Sequence, residues 1–208
     1  GGIDKVMAEL KGEPMIVHTV RAFQNCDAIS EIVIVTREDL ILPIKELTRS
    51  FDKVRAVVAG GKSRQESVAL GMNALGEKCE LAAIQDGARP LVTWQLIDRV
   101  VRVAHAHNAA IPVIPVKDTI KVCNSALVES TPDRATLRAV QTPQVFDFDL
   151  LRGALKKAAK DGAEVTDDCS AVERLGMSIK IVEGDERNIK VTTPMDLKIA
   201  KLLLEEMK

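Results

Sequence analysis

Short apolar runs alternate with amphipathic segments along most of this chain, and this alternation constrains the fold more than any other feature. The runs at 31–36, 54–59 and 81–85 are almost continuously apolar. This is the pattern of strands that are buried on both faces of a parallel sheet. Each run is followed by a segment of helical periodicity, as the crossover between parallel strands requires. The sequence therefore predicts an α/β fold: a doubly wound, mainly parallel, Rossmann-like sheet with helices on both faces.

The same pattern extends through the rest of the chain. Further strands are predicted at 109–116, 179–182 and 188–192. The predicted helices span 14–24, 40–50, 63–75, 93–107, 149–160, 167–175 and 194–207. A length of 208 residues is that of one α/β domain, so a single domain over 1–208 is expected.

Two segments depart from the alternation. Residues 119–123 and 127–130 flank the turn Asn124-Ser125-Ala126 and predict a β-hairpin within an inserted arm of about residues 117–140. Because a two-stranded ribbon is only marginally stable alone, it must pack on its own sheet or on a partner subunit. Residues 1–5 are predicted to form a loop, so we expect a central parallel strand and its turn to be missing from the start of this sequence.

Composition argues against several classes of protein. The 29 Lys and Arg residues nearly balance 30 Asp and Glu residues, so no broad basic surface is available for nucleic acid. Four Phe, one Trp and no Tyr leave few rings on which single-stranded bases could stack. No apolar run is long enough to span a bilayer, and no secretory signal opens the chain, which predicts a cytoplasmic protein without membrane contact. The four cysteines and three histidines do not form a zinc set at any familiar spacing.

In open α/β sheets ligands bind at the carboxyl ends of the strands, so the residues after each predicted strand are the candidates for a site. Gly60 and Gly61 follow one strand and precede a helix, where backbone N–H groups can approach a phosphate or a ribose. A tight turn with Ser63 as the helix N-cap explains the same residues equally well. The stretch nearly matches the phosphate loop of NTPases, but Ala56 stands at its first glycine position, inside the predicted strand. A phosphate-loop NTPase is therefore rejected.

A second candidate place follows the strand at 81–85. Asp86 could hold Mg²⁺ together with the oxygens of a triphosphate, and Arg89 could bind a phosphate, although an Asp-Gly turn beside a solvated arginine is the plain alternative. Residues 166–168 and 193–196 match helix starts, whereas Lys190 has no evident structural role. His18 fits the apolar face of a helix and is expected in the core. These groups together favour phosphoryl or nucleotidyl transfer.

A series of short motifs runs through the whole chain. They are Lys5, Leu10-Lys11-Gly12-Glu13-Pro14, His18-Thr19, Gly60-Gly61, Arg64-Gln65-Glu66-Ser67-Val68, Asp86-Gly87-Ala88-Arg89-Pro90, Pro115-Val116-Lys117-Asp118-Thr119-Ile120-Lys121, Gln141-Thr142-Pro143-Gln144, Thr166-Asp167-Asp168, Val172-Glu173 and Asn188-Ile189-Lys190-Val191-Thr192. In this order they resemble the 2-C-methyl-D-erythritol 4-phosphate cytidylyltransferase family of the non-mevalonate isoprenoid pathway. Each motif is short, but the combination is specific.

The resemblance implies a reaction and a set of site residues. In that family the phosphate of methylerythritol phosphate attacks the α-phosphorus of CTP, which releases pyrophosphate and forms a cytidine diphosphate alcohol. The resemblance assigns catalytic roles to Lys5, Arg134 and Lys190, and assigns a Mg²⁺ cofactor, or another divalent cation, to Asp86. It assigns the nucleotide to Gly60, Gly61, Arg64, Ser67, Asp86 and Ala88, and the acceptor phosphate to Arg89, Thr119 and Thr166.

The resemblance also implies a homodimer. In the family the hairpin is an arm that exchanges between subunits, so Arg134 and Thr166 would complete the site of the neighbouring subunit. The marginal stability of an isolated ribbon gives the same arm a physical reason to find a partner.

The chain departs from the family pattern at three places. The opening glycine-rich signature, Ala-Ala-Gly-x-Gly-x-Arg-Met-Gly, which would wrap the triphosphate, is not in the given sequence, and a form without it should be impaired. Gln85 stands where the family often has histidine, and Lys62 where an acid is sometimes found. Three alternatives remain open: a ribitol 5-phosphate cytidylyltransferase, a sugar-nucleotide pyrophosphorylase that uses UTP or GTP, and a non-catalytic nucleotide-binding module. The motifs at 86–89 and 139–142 favour the methylerythritol enzyme over the ribitol one.

Overall fold

The computed structural model describes residues 5–76 and 78–206. Within these ranges the helices are α1 (Met15–Gln24), α2 (Ile41–Thr48), α3 (Arg64–Asn73), α4 (Trp94–His107), α5 (Phe148–Lys160), α6 (Asp168–Glu173) and α7 (Pro194–Glu206). The strands are β1 (Glu9–Leu10), β2 (Glu13–Pro14), β3 (Ile32–Thr36), β4 (Val54–Ala59), β5 (Leu81–Ile84), β6 (Ala109–Pro115), β7 (Val122–Asn124), β8 (Leu127–Ser130), β9 (Arg138–Val140), β10 (Gln144–Asp147) and β11 (Lys180–Glu183). The α/β class predicted from the sequence is confirmed.

The central sheet is mixed and has two sections. In the first section β3 and β4 pair in parallel. In the second section the strand order is β11-β6-β10-β5, with β9 also paired to β6. The pair β6–β11 is parallel, whereas β10 runs antiparallel to both of its neighbours and places Gln144 opposite Ile84.

Helices cover both faces of the second section. On one face Val145 packs with apolar residues of α1 and α4. On the other face Phe146, the next residue of β10, packs with residues of α3, α5 and α6. The two residues point to opposite faces because side chains alternate along a strand. This arrangement is the doubly wound layering that the sequence predicts.

A cavity of about 620 Å³ lies between the two sections of the sheet. It is lined by residues of β3 on one side and of β5 on the other, and among the described residues these two strands pair only with β4 and β10, respectively. Helix α1 packs against β3 and against α4, so it contacts elements on both sides of the cavity. The first section of the sheet carries the loop after β4, and the second carries the loop after β5.

Several local predictions were wrong. Residues 188–192 form no strand: the backbone N–H of Asn188 donates to the carbonyl of Asp185 at 2.9 Å, which is a turn bond. Strands β9 and β10 were not predicted, because residues 138–147 mix polar residues and Pro143 with apolar ones and show no clear alternation. The predicted hairpin forms, with its first strand shortened to β7 and with Ser125 in the left-handed region (φ 51°). The predicted loop over residues 1–5 concerns mainly residues outside the described ranges.

Candidate active site

A carboxylate and two cations meet just after the carboxyl end of β5. Asp86 Oδ2 lies 3.0 Å from Lys190 Nζ and 3.4 Å from Arg89 Nε. The side chains of Asp86 and Arg89 are largely buried, whereas that of Lys190 is 46% exposed. Burial lowers the pKa of the Arg89 guanidinium, and the negative charge of Asp86 opposes this shift. The cluster therefore presents an accessible lysine, Lys190, that is held in place by the Asp86 carboxylate. The two cations neutralise the negative charge of that carboxylate.

Buried polar residues hold this cluster in place. Arg89 Nη1 donates to the carbonyl of Asn188 at 2.7 Å, and Asn188 Nδ2 donates to the carbonyl of Thr142 at 2.9 Å. The Thr142 hydroxyl in turn accepts from the backbone N–H of Asp86 at 3.1 Å. The backbone N–H of Val191 donates to the carbonyl of Ala88 at 2.8 Å. The sequence analysis did not assign Thr142 and Asn188 a supporting role, because their partners lie in other elements and no local pattern indicates such bonds.

The loop after β4 forms a second, ordered part of the site. The backbone N–H of Gly60 donates to the carbonyl of Thr36 at 2.8 Å, which extends the β3–β4 ladder by one step. The backbone N–H of Gly61 donates to Ser67 Oγ at 3.0 Å, and a Cβ on Gly61 would collide with the side chain of Glu66. Ser63 caps α3 as predicted, because its hydroxyl accepts from the backbone N–H of Glu66. Glycine is therefore needed at position 61 for steric reasons.

Arg64, in the first turn of α3, makes an ion pair across the molecule. Its Nη2 lies 2.6 Å from Oδ2 of Asp168, whose side chain is 1% exposed. Burial raises the pKa of the Asp168 carboxyl, and the Arg64 guanidinium opposes that rise. Burial also disfavours the charge of Arg64, but the hydrogen bond and charge of Asp168 outweigh it and raise the pKa of this more exposed arginine.

The cavity connects the two parts of the site. Arg64 and Ser67 line it from the first turns of α3, and Asp86 and Gly87 line it from the segment after β5. The charge of Asp86 is one of the causes that raise the pKa of Arg64, so the two groups interact electrostatically. The structure therefore brings together the residues predicted after two separate strands, as the carboxyl-end rule requires.

Lys5 directly precedes Val6, whose side chain lies near Gly87 in the turn after β5. It occupies a single turn of 3-10 helix, Lys5–Met7, which packs against α1. A Cβ added to Gly87 would lie 3.6 Å from the side chain of Val6, the residue after Lys5. Thr19 of α1 donates to the carbonyl of Gly87 at 3.0 Å and joins the same region. Val6 is thus close in the fold to the residue that follows Asp86, and Lys5 is its neighbour in the chain.

The remaining predicted residues are placed elsewhere. Arg134 lies at the base of the hairpin and donates to the carbonyl of Lys117 at 2.7 Å, and Thr119 is exposed on the same arm. Thr166 is exposed and immediately precedes Asp167, the N-cap of α6. Within the described part of one chain, none of these three has a hydrogen bond or ion pair with Asp86, Arg89 or Lys190.

The residues after β5 fit a divalent cation. Asp86 Oδ1 has no hydrogen-bond partner among residues 5–76 and 78–206, since its ion pairs use Oδ2. No group of three candidate metal ligands exists in these ranges. A single carboxylate is nevertheless the usual protein contribution to Mg²⁺ when substrate phosphates supply further oxygens. Asp86 is the residue that would hold the ion.

Comparison with known proteins assigns the family. The family model for 2-C-methyl-D-erythritol 4-phosphate cytidylyltransferase (IspD) matches residues 1–206. The chain belongs to this family. It is 41% identical to the cytidylyltransferase of Caldanaerobacter subterraneus subsp. tengcongensis, over 98% of this chain and 92% of that protein. It is 44% identical to that of Geobacillus kaustophilus, over 98% of this chain and 90% of that protein.

Solved structures of the cytidylyltransferase family share the fold. The 4-diphosphocytidyl-2C-methyl-D-erythritol synthase of Anaerococcus prevotii superimposes with a TM-score of 0.90 at 30% identity, covering 96% of this chain and 93% of that one. The enzyme of Thermus thermophilus superimposes with a TM-score of 0.84 at 32% identity, covering 97% and 94%. No helix within residues 5–76 and 78–206 has the length and apolarity needed to cross a membrane.

Proposed function

We propose that this chain transfers the cytidylyl group of CTP to 2-C-methyl-D-erythritol 4-phosphate in isoprenoid precursor biosynthesis. A phosphate oxygen of the acceptor attacks the α-phosphorus of CTP and forms the new P–O bond. The bond from the α-phosphorus to the bridging oxygen breaks, and pyrophosphate leaves with the electron pair. The products are 4-diphosphocytidyl-2-C-methyl-D-erythritol and pyrophosphate. The observation that supports this most strongly is the Asp86–Lys190–Arg89 cluster, whose Asp86 lines the same cavity as Arg64 and Ser67 at the start of α3.

The main physical requirement of this reaction is the neutralisation of charge. Both substrates are anions, so they repel each other unless fixed cations draw them together. Lys190 is exposed and oriented by Asp86, which suits it to bind a phosphate of either substrate. Lys5, the neighbour of Val6 in the chain, stabilises the negative charge that grows on the α-phosphate. Arg89 is assigned to the acceptor phosphate, although its burial and its bond to Asn188 also make it a support for Lys190.

The loop after β4 is assigned to the cytidine end of CTP. Arg64 and Ser67 line the cavity, and the backbone N–H of Gly61 donates to Ser67 Oγ, which ties the loop to this side of the cavity. Ala88, in the turn after Asp86, is assigned to the nucleotide as well. When bound at Asp86, Mg²⁺ would polarise the triphosphate and neutralise part of its charge.

The proposal includes a homodimer in which Arg134 and Thr166 act in the site of the second subunit, while Thr119 offers a hydroxyl to the acceptor phosphate. The hairpin exposes large apolar side chains, with Leu127 75% and Val128 60% exposed. Exposed apolar patches of this kind commonly mark protein interfaces. The proposal also places the enzyme in the cytoplasm, to which its four unpaired cysteines are suited.

The test measures pyrophosphate release from CTP with Mg²⁺ and methylerythritol phosphate, and then with ribitol 5-phosphate instead. UTP and GTP are compared at the same concentrations. We expect release only with CTP, and much faster with methylerythritol phosphate. Faster release with ribitol 5-phosphate would identify the chain as a ribitol 5-phosphate cytidylyltransferase. A preference for UTP or GTP over CTP would identify it as a sugar-nucleotide pyrophosphorylase. CTP binding with no release from either acceptor, in a protein that carries the glycine-rich signature, would indicate a non-catalytic module, and each of these three results contradicts the proposal.

A further inference from the structure

Asp168 is a buried carboxylate that the start of α6 does not explain. The N-cap of this helix is Asp167, whose side chain accepts from the backbone N–H of Ser170 while the Ser170 hydroxyl interacts reciprocally with the Asp167 backbone. The helix is therefore fully capped without Asp168. The Asp168 side chain instead turns inward and contacts Arg64 of α3, 104 residues earlier in the chain.

The Arg64–Asp168 ion pair does not by itself indicate that these residues stabilise the fold. Removing a carboxylate from water costs several kcal/mol, and the attraction within a buried ion pair often does no more than offset this cost. The same loss of hydration raises the pKa of the Asp168 carboxyl, because the effect of burial outweighs the attraction of Arg64. What the pair does fix is geometry, because a buried carboxylate with one cationic partner strongly restricts where that partner lies.

The Arg64–Asp168 pair matters because it joins elements that belong to the two different sections of the sheet. Arg64 follows the loop after β4, which belongs to the first section of the sheet, whereas Asp86 follows β5 of the second section. The start of α6 is tied to the second section through Gln144 of β10. Gln144 Nε2 donates to Asp167 Oδ2 at 2.9 Å, and Gln144 Oε1 accepts from the backbone N–H of Cys169 at 2.9 Å.

A continuous set of contacts thus runs from Asp86 to Arg64. Strand β5 pairs with β10, with Ile84 opposite Gln144, and Gln144 holds the start of α6, where Asp168 holds Arg64. A second, weaker link is the bond from Gln65 Nε2 to the carbonyl of Leu155 at 3.2 Å. The Arg64–Asp168 pair is the ionic link between the second section and the helix that begins at Arg64.

We propose that Asp168 is a positioning residue for CTP. It holds Arg64, and with it the Gly60-Gly61 loop, at the distance from Asp86 that lets one nucleotide contact both parts of the site. The inference rests on the proposed function, in which Arg64 and Ser67 bind the cytidine end and Asp86 serves the triphosphate end. It predicts that Asp168 governs CTP affinity without touching either substrate.

The test is the nearly isosteric variant Asp168→Asn, which removes the charge and keeps the volume. We expect its KM for CTP to rise roughly ten- to a hundredfold, the range that follows from a small misplacement of a binding group. The KM for methylerythritol phosphate, and kcat at saturating CTP, should change by less than about twofold, since binding of CTP alone is weakened. Asp161→Asn is the matched control, because it removes a carboxylate that pairs with Lys157 and Arg174 at the surface.

A double-mutant cycle with Arg64→Met separates positioning from general damage. If Asp168 acts through Arg64, adding Asp168→Asn to Arg64→Met should leave the KM for CTP unchanged, because the partner is already lost. Full additivity of the two effects, or an unchanged KM for CTP in Asp168→Asn, would overturn the inference. Pyrophosphate release by the wild-type protein is measured alongside, and its absence would contradict the proposed function instead.

A destabilised Asp168→Asn protein still leaves a decisive measurement. The double variant Arg64→Met, Asp168→Leu replaces the buried pair with apolar side chains, which proteins often tolerate without loss of stability. CTP binding to this folded variant is then measured by calorimetry. We expect the affinity to equal that of Arg64→Met alone, because Asp168 acts only through Arg64. A clearly lower affinity than that of Arg64→Met would show that Asp168 acts by another route and would refute the positioning role.

Discussion

At the scale of single residues, the Asp86 carboxylate has two roles in the geometry of the site. Its Oδ2 is shared by Lys190 and Arg89, so the two cations are held at fixed positions before any substrate arrives. Its Oδ1 has no protein partner within the described residues and remains available for a divalent cation. A phosphate that approaches Asp86 therefore meets a lysine that is already oriented, which reduces the entropy lost on binding.

Lys5 provides the sharpest test of charge stabilisation. In a full-length enzyme, Lys5→Ala should lower kcat by roughly a hundred- to a thousandfold, the usual result of removing one donor to a charge that develops in the transition state. The KM for CTP should change much less, because the interaction is strongest in the transition state. Steady-state pyrophosphate release measures both constants.

The control for Lys5→Ala is Lys45→Ala, which removes an exposed lysine of α2. It should leave both constants within about twofold of the wild type, since surface substitutions away from a site have small effects. Unchanged turnover in Lys5→Ala would exclude the role assigned to Lys5.

At the scale of elements, the sequence predicted regular segments well and irregular ones poorly. Strand β4 begins and ends at the predicted residues, because turn residues bound its nearly continuous apolar run, although Val57 is the one residue of the strand that is buried. The segment at 188–192 was predicted as a strand, but the fully buried Asn188 uses its side chain and backbone to hold Thr142 and Arg89. Such bonds join residues over 40 positions apart in sequence, and no local pattern reports them.

The start of α7 fixes the segment that follows Lys190. Oδ2 of Asp196 accepts from the backbone N–H groups of Thr192 and Thr193, at 2.9 and 2.7 Å. The backbone N–H of Asp196 donates in return to the Thr193 hydroxyl at 3.2 Å, which completes a reciprocal cap. Hydrogen bonds to the ionised form lower the pKa of Asp196 to about 2.

This cap gives stability a defined dependence on pH. The ordinary pKa of an aspartate is 3.8, so the ionised cap contributes fully above that pH and is lost as the pH falls towards 2. We expect Asp196→Ala to have a lower free energy of unfolding than the wild type between pH 5 and 7. The difference should shrink below about pH 4 and be largely lost as the pH falls through 2. Urea denaturation of both proteins across this range measures it.

One outcome of the urea experiment would contradict this explanation. If the difference in unfolding free energy between the two proteins stays constant from pH 6 to pH 2, the stabilisation does not come from the ionised carboxylate. Asp149→Ala, which removes an exposed acid from the first turn of α5, is the matched control for a general change in charge.

At the scale of the whole molecule, the site is assembled from distant parts of the chain. The sequence identified Asp86, Lys190 and the loop at 60–67 because each follows a predicted strand or stands in a recognisable motif. It did not identify Asn188, Thr142 or Asp168 as supports, since their partners lie in other elements and only the folded chain brings them together. Support residues of this kind are defined by contacts, whereas ligand-binding residues also leave a local pattern.

The arm at 117–140 raises the question of how many subunits build one site. Arg134 lies at its base and makes no bond to the Asp86 cluster of the same chain within the described residues, yet the family resemblance gives it a catalytic role. The missing bond and the catalytic role are compatible if Arg134 acts in the site of the partner subunit. The exposed apolar side chains of the hairpin favour contact with such a subunit. Each site would then combine Lys5, Asp86 and Lys190 of one chain with Arg134 of the other.

Mixed dimers test this arrangement directly. Lys190→Met and Arg134→Ala should each be nearly inactive as pure proteins, but in a heterodimer one of the two sites would receive both intact residues. Random assembly of the co-expressed variants should therefore restore about a quarter of the wild-type sites, since half of the dimers are mixed and each has one intact site. Co-expression of Lys190→Met with Lys5→Ala is the matched control, because those two residues belong to one chain and no mixed site can be intact. Recovery of activity in the first pair and not in the second is the expected result, whereas no recovery in either, with dimers present by sedimentation, would place Arg134 outside the shared site.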